Sequence, residues 1–279
     1  MIDLHTHTNE SDGAYTPSEL VAAAAACGVR TLAITDHDTF EGYLKARPAA
    51  RQAGIELLCG IEVSTRLDGQ WYHVLGYFLE TPPTLRFSKW LAAVHERRRD
   101  RNQRLAARLT ELGVPVSVTD AERLGRSITG RVHFARILVD RGYVGSIEEA
   151  FQRYVGSQGA AFVRFSEPDT LAALGELKAA RAVAVLAHPV RYRSGDETAL
   201  LRRLREAGLD GVEIVHTDHR DADTAHYQQL AANLGLAVTG GSDFHGEVTP
   251  HARLGYGNHG QTLIPAEFLD SLRHAFSRS

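Results

Sequence analysis

The sequence predicts an α/β fold, a largely parallel sheet or barrel interrupted by a helical insertion. Three observations lead there. Short apolar runs of strand character alternate with helical stretches in both the first and the last part of the chain. Residues able to do chemistry stand at or near the C-terminal ends of most of those runs, the rim on which parallel α/β barrels carry their active sites. Between the two alternating parts the periodicity is helical and arginine becomes dense.

In order, residues 2–7 read as a strand with Ile2 and Leu4 apolar. Strand side chains alternate, so His5 and His7 share a face. Thr16 with Pro17 and Glu19 is a capping box opening a helix that ends at Gly28. A buried strand at 31–35 runs into Asp36-His37-Asp38. A helix over 40–53 closes at Gly54, and Pro48 inside it is expected to kink or divide it. A third strand at 55–61 ends in Glu62, and a fourth at 70–78 carries His73 in its middle.

The pattern breaks after Pro82-Pro83. One long helix is expected over 90–112, stopped by Gly113 and Pro115, with shorter ones near 131–141 and 147–154. Basic residues outnumber acidic ones by about two to one in this stretch. Most of the run Arg97, Arg98, Arg99, Arg101, Arg104 and Arg108 reads as a solvated helix face. Alternation then resumes: a strand at 182–187 ending at His188-Pro189, a helix at 197–207, and a strand at 211–215 ending at His216, with His219 just beyond. A helix at 221–234, a strand at 237–240 opening into Gly241-Ser242-Asp243-Phe244-His245, and a final helix after Pro265 complete the chain. The expected division is a barrel of residues 1–83 and 166–279, with 84–165 as a helical, arginine-rich insertion over the C-terminal rim.

The 279 residues suffice for this, with 43% hydrophobic and 23% charged residues, as in ordinary globular proteins. A net charge of −3 gives no global field toward nucleic acid or membrane. Neither a signal peptide nor a membrane-spanning run is expected. The two cysteines, Cys27 and Cys59, read as buried thiols rather than a disulfide, which suits a reducing cytoplasm.

The 14 histidines matter by position. His5, His7, Asp12, His37, Glu62, His73, His188, Asp243 and His245 lie on or just beyond strands. Imidazole and carboxylate are ligands for Zn²⁺, Mn²⁺ or Fe²⁺, and the absence of cysteine from the set argues for a catalytic rather than a structural site. Nine ligands exceed what one ion takes and suit two or three, with a carboxylate bridging a pair.

The series His5-Thr6-His7, Ser11-Asp12-Gly13, Thr35-Asp36-His37, Gly60-Ile61-Glu62, Ala187-His188-Pro189 and Gly241-Ser242-Asp243-Phe244-His245 resembles the motifs of the PHP (polymerase and histidinol phosphatase) family, part of the amidohydrolase superfamily, in family order. The resemblance implies a distorted (β/α)7 TIM-like barrel and a centre of three divalent ions. By that resemblance His5, His7, Glu62 and Asp243 hold one ion, Glu62 bridges to a second held by His73 and His188, and Asp12, His37 and His245 hold the third. Gly130-Arg131-Val132-His133-Phe134-Ala135-Arg136 is similar to a stretch in members acting on nucleotides, with Val132 where proline is usual.

The implied activity is removal of the 3′-phosphate from 3′,5′-bisphosphonucleotides (pAp to AMP and phosphate) with manganese, by in-line attack of a metal-bound hydroxide. Alternatives are a 5′→3′ exonuclease on short oligonucleotides, for which Tyr154, Phe162 and Phe165 could serve as stacking aromatics, a histidinol-phosphate phosphatase, and a non-catalytic module that has kept the barrel. Glu62, Asp243 and His216 are the catalytic candidates, His216 for proton transfer. Arg131, His133, Arg136, Arg164, Arg191 and His219 are the candidates for substrate contact, because guanidinium forks suit phosphate oxygens. No obligate protein partner is expected.

Overall fold

Seven strands pair in chain order into one sheet: β1 (Ile2–Asp3), β2 (Thr31–Ile34), β3 (Glu56–Leu67), β4 (Gln70–Phe78), β5 (Val183–Leu186), β6 (Gly211–Val215) and β7 (Ala237–Gly240). The computed structural model describes residues 1–80, 83–164, 167–192 and 195–278. Pro82 of the break and Phe165, as well as the 165/166 boundary, lie outside them. Ten helices surround or extend the sheet among the described residues: α1 (Pro17–Ala26), α2 (Glu41–Ala53), α3 (Leu85–Glu111), α4 (Val118–Leu124), α5 (Arg131–Asp140), α6 (Ile147–Ala150), α7 (Thr170–Ala179), α8 (Glu197–Glu206), α9 (Asp221–Leu234) and α10 (Glu267–Arg278).

The sheet curls until its ends meet. Leu4 N–H donates to the Gly240 carbonyl (3.3 Å), Asp243 N–H to that of His5 (2.9 Å) and His7 N–H to that of Phe244 (3.0 Å). This makes a nearly closed, distorted TIM-like barrel. The expected strand 2–7 is therefore a two-residue ladder followed by an extended closure segment. That segment still points His5 and His7 the same way.

β1, β2 and β3 are parallel, as are β5, β6 and β7, but β4 runs antiparallel to both neighbours. The third strand does not end at Glu62. It continues to Leu67 and returns through Asp68-Gly69, both with positive φ (50° and 84°), the geometry of a two-residue hairpin. Glu62 thus lies mid-strand, wholly buried.

The Thr16 capping box forms as read. α2 runs through Pro48 without interruption and closes on Gly54 in the left-handed conformation. Pro48 and Leu44, whose carbonyl loses its helical partner, are both exposed, so water can take that carbonyl. α7 has no counterpart in the sequence expectations. Asp169 caps it, and it buries Leu174 and Leu177 in the main core. Residues 105–163 of the helical stretch pack round an apolar cluster of their own, including Leu105, Leu109, Phe134 and Leu138. Both cysteines are free. Cys59 is buried, but Cys27 is exposed at the C-cap of α1, past its last buried turn, which corrects the expectation of two buried thiols. Among the described residues no helix is long and apolar enough to cross a membrane.

Candidate metal centre

Closure of the barrel brings the two chain ends together at one rim. Gly241 permits it: a Cβ there would lie 2.0 Å from that of His5. All nine sequence-predicted ligands converge in consequence. Glu62 is at the middle and divides its oxygens. Its Oε1 lies 2.8 Å from His73 Nδ1 and 2.9 Å from His188 Nε2. Its Oε2 lies 3.2 Å from His5 Nε2, 3.1 Å from His7 Nε2 and 3.3 Å from His37 Nδ1. Asp243 Oδ1 faces the same two nitrogens, 3.4 Å from His5 and 3.2 Å from His7. Beside them Asp12 lies 3.2 Å from His245 Nε2 and 3.7 Å from His37 Nε2. Four groupings within ligand reach are present among the described residues: His5-His7-Glu62-Asp243, His37-Glu62-His73, His7-Asp12-His37-His245, and, behind the first, His5-Glu213-His216. His188 approaches both Glu62 and His73 closely enough to join the second.

The donors fit cations. His5 Nδ1 lies 3.1 Å from Glu213 Oε1, His188 Nδ1 2.8 Å from the Tyr192 hydroxyl, and His245 Nδ1 2.8 Å from the Asp243 carbonyl. With the ring proton donated outward on Nδ1, each Nε2 turns a lone pair toward carboxylate oxygens. That approach is repulsive unless a cation or proton lies between. His7 makes the same point: both ring nitrogens are buried without an aligned hydrogen bond, although two carboxylates stand close. Burial by itself would raise the carboxyls of Glu62, Asp12 and Asp243, yet the surrounding imidazoles hold all three well below the usual carboxylate range, helped at Asp243 by Arg191. Burial lowers His7, but Asp243 and Glu62 outweigh it and push the ring to about 10, so without cations a proton supplies part of the missing positive charge. His37, where burial prevails, falls to about 4 and stays neutral.

The supporting shell includes a residue that sequence reasoning missed. Glu213, buried on β6, takes His5 Nδ1 on one oxygen and the His188 backbone N–H (2.7 Å) on the other. A lone acid inside the apolar strand Gly-Val-Glu-Ile-Val was its signal. His216 is also wholly buried. Its Nδ1 accepts the Asp218 N–H (3.0 Å), which leaves Nε2–H to donate to Asp243 Oδ2 (3.2 Å). One nitrogen is thus engaged by the Asp218 backbone and the other by Asp243, an arrangement that suits orienting Asp243 rather than the proton transfer expected of His216.

A cavity of about 200 Å³ opens beside Asp12, His37 and His73 and is walled by Arg98, Arg101 and Arg131. Arg131 lies over Trp71 (4.5 Å to the ring centroid), with Phe151 and Phe162 at 5.7 and 5.9 Å. Burial lowers its guanidinium to about 10. Arg101, 4% exposed, is lowered to about 9 by burial and then by the charges of Arg98 and Arg131. Arg98 is gripped by the buried Asp38. These two correct the reading of the arginine run as a solvated face, which holds for Arg99, Arg104 and Arg108. Leu91, Val94, Arg98, Arg101, Leu105 and Leu109 recur at three- and four-residue spacing, so Arg98 and Arg101 occupy the buried stripe of α3.

The other substrate candidates scatter. His133 lines the cavity, with Nδ1 2.9 Å from the Gly130 N–H it accepts. Arg191 bonds to Asp218 (2.7 Å) and reaches Asp243 Oδ2 (3.1 Å) at the rim. Arg136 donates to the Asp12 carbonyl (2.6 Å). Arg164 is exposed and is not among the described residues lining the cavity. His219 is buried, donates from Nδ1 to the Ile214 carbonyl (2.9 Å) and stacks on Tyr227, apart from the cavity.

An arginine-walled cavity opening onto clustered imidazoles and carboxylates that suit cations belongs, on a barrel of this kind, to a metal-dependent phosphoesterase. The PHP domain model matches residues 3–161, and the chain belongs to that family. It is 35% identical to a 5′-3′ exoribonuclease of Haemophilus influenzae over 87% of this chain and 89% of that protein. It is 34% identical to a 3′,5′-nucleoside bisphosphate phosphatase of Chromobacterium violaceum over 88% and 87%. A solved structure of a metal-dependent phosphoesterase candidate from Bifidobacterium adolescentis superimposes with a TM-score of 0.86, at 30% identity over 98% of this chain and 95% of that one.

Proposed function

We propose that this phosphoesterase removes the 3′-phosphate of nucleoside 3′,5′-bisphosphates, pAp giving AMP and phosphate. The observation that carries the reading is the cluster Arg98, Arg101 and Arg131 beside the ligand groups. A bisphosphate with its 3′-phosphate at the metal centre carries a second phosphate across the same ribose, and guanidinium groups in the adjoining cavity supply recognition of it. Trp71 and Phe151 in the same wall offer apolar faces to the base. The relative with this activity in Chromobacterium violaceum supports the choice.

In this reading His5, His7, Glu62 and Asp243 hold one divalent ion, Glu62 with His73 and His188 a second, and Asp12 with His37 and His245 a third, manganese being the ion of choice. Such ions neutralise phosphoryl oxygens and make water nucleophilic at neutral pH. The chain's own share is placement. Glu62 offers one oxygen to each of the first two sets, Glu213 holds the His5 ring and the His188 backbone, and His216 with Arg191 turns Asp243 so that Oδ1 faces the first set. Residues 84–165 form the substrate-gripping insertion on the barrel of 1–83 and 166–279. The setting is cytoplasmic, with a small nucleotide as partner.

A second reading has an observation behind it. Arg131 ringed by Trp71, Phe151 and Phe162 is a basic surface interleaved with aromatics, which suits a nucleic-acid strand, and the Haemophilus relative is an exoribonuclease. A phosphate-release and product assay with manganese compares nucleoside monophosphates, 3′,5′-bisphosphates, a pentanucleotide and histidinol phosphate. The bisphosphate is expected to turn over fastest. Faster turnover of the pentanucleotide moves the assignment to the exonuclease, and faster turnover of histidinol phosphate rejects both.

A further inference from the structure

Asp12 sits on a short loop, residues 8–13, whose shape is imposed from two sides. From the barrel, the buried Asp36 carboxylate accepts the Thr8 N–H, the Thr8 hydroxyl and the Ser11 hydroxyl, each at 2.7 Å. From the helical stretch, Arg136 on α5 donates Nη2–H to the Asp12 carbonyl at 2.6 Å. Two residues earlier the Glu10 carbonyl accepts the Ile128 N–H at 3.1 Å. The Glu10 carboxylate, 1% exposed, takes the Ser127 hydroxyl and Lys45 of α2 (2.7 Å) on one oxygen. Among the described residues, the hydrogen bonds from the helical stretch reach the Asp12 carbonyl, the Glu10 carbonyl and carboxylate, and, through His133, the Ser11 backbone.

We infer that Arg136 is a positioning residue that fixes Asp12 for its cation, so that the Asp12-His37-His245 set is complete only when α5 is docked. This rests on the reading of those three side chains as ligands. Asp12 is the member of the set without a strand beneath it, since His37 pairs with Glu62 across the sheet and His245 is anchored through its Nδ1. The guanidinium of Arg136 is spent on a backbone carbonyl and is not among the described groups lining the arginine cavity, which separates it from Arg98, Arg101 and Arg131. A charged donor on a peptide oxygen holds the loop without competing for the carboxylate.

The test measures manganese bound per chain at fixed free Mn²⁺ by equilibrium dialysis and atomic emission, alongside kcat and KM on the bisphosphate. Arg136→Met is expected to lose manganese to the extent that Asp12→Asn does, with kcat lower by about 10–100-fold and KM little changed. Arg136→Lys, which keeps a donor, is expected to recover most of the metal. Glu10→Gln, cutting the neighbouring tie, is expected to lose part of it. Full manganese with a raised KM in Arg136→Met would make Arg136 a substrate ligand and overturn the inference, as would a variant equal to wild type in all three quantities. Equal melting temperatures of Arg136→Met and wild type in EDTA establish that the variant folds. If the wild type does not hydrolyse the bisphosphate, the substrate assignment fails while the manganese content still decides the role of Arg136.

Discussion

Glu62 concentrates the chemistry of the site in one side chain. Its two oxygens address different imidazole sets, and at 1% exposure no solvent shares the load. Glu62→Gln keeps the shape and replaces one oxygen by an amide that donates into a ring of would-be donors. Activity is expected to fall by about 100-fold or more, since even supporting residues one contact further out cost about 10–100-fold in such centres. Steady-state assays with metal analysis check this, and a variant with full metal and full activity removes the bridging role. At this scale the sequence was informative where residue type suffices. Imidazoles and carboxylates at strand ends marked the side chains that the fold gathers at one rim. The pairing of Glu213 with His5 and of His216 with Asp243 was invisible, because which nitrogen faces which oxygen depends on contacts between residues 27 and more than 200 positions apart.

The elements show how a period can be read correctly and interpreted incompletely. α3 carries its arginines where a stripe count places them, two of them at apolar positions. Their burial needed a cavity to face, and the cavity is built by strands and loops distant in sequence. β3 outran its expected end because the continuous apolar run gives way at Ser64-Thr65-Arg66 to polar residues that alternate in burial, yet the Asp68-Gly69 hairpin signal was present. α2 tolerates Pro48 on its exposed face. Pro48→Ala restores a helical N–H and relieves the ring's clash with the preceding turn. It is expected to stabilise the protein by about 1–3 kcal/mol, short of or equal to the cost of an interior proline because water already serves the freed carbonyl. Urea denaturation reads the gain, and an unchanged or lower midpoint rejects it.

For the molecule as a whole, the barrel is closed at a point where negative charge accumulates. Glu62, Asp243 and Glu213 are all but fully buried, with Asp12 at the edge. Cations that bind the folded state and not the unfolded chain stabilise it by mass action, about 4 kcal/mol at a thousandfold excess over Kd. Chelation by EDTA is therefore expected to lower Tm on the order of 10 °C for a chain of this size. Calorimetry with and without EDTA, and with manganese restored, measures it, and an unchanged Tm excludes occupancy of the centre. The two sides of the barrel seam are joined through Asp3, which accepts the Ser242 hydroxyl (2.7 Å) and the Gly255 N–H (2.8 Å) and ties the first strand to the loop bearing Asp243.

The sequence by itself determined the α/β class, the helical interruption and the nine candidate ligands that the fold brings together, because strand period, capping residues and donor chemistry are local properties. Only the tertiary structure decided that Arg98 and Arg101 turn inward, that Arg136 bonds the Asp12 carbonyl rather than lining the cavity, and that His5 and His7 meet Asp243. Those outcomes depend on barrel closure, which sets residues at opposite ends of the chain within hydrogen-bond distance and leaves no mark in either neighbourhood.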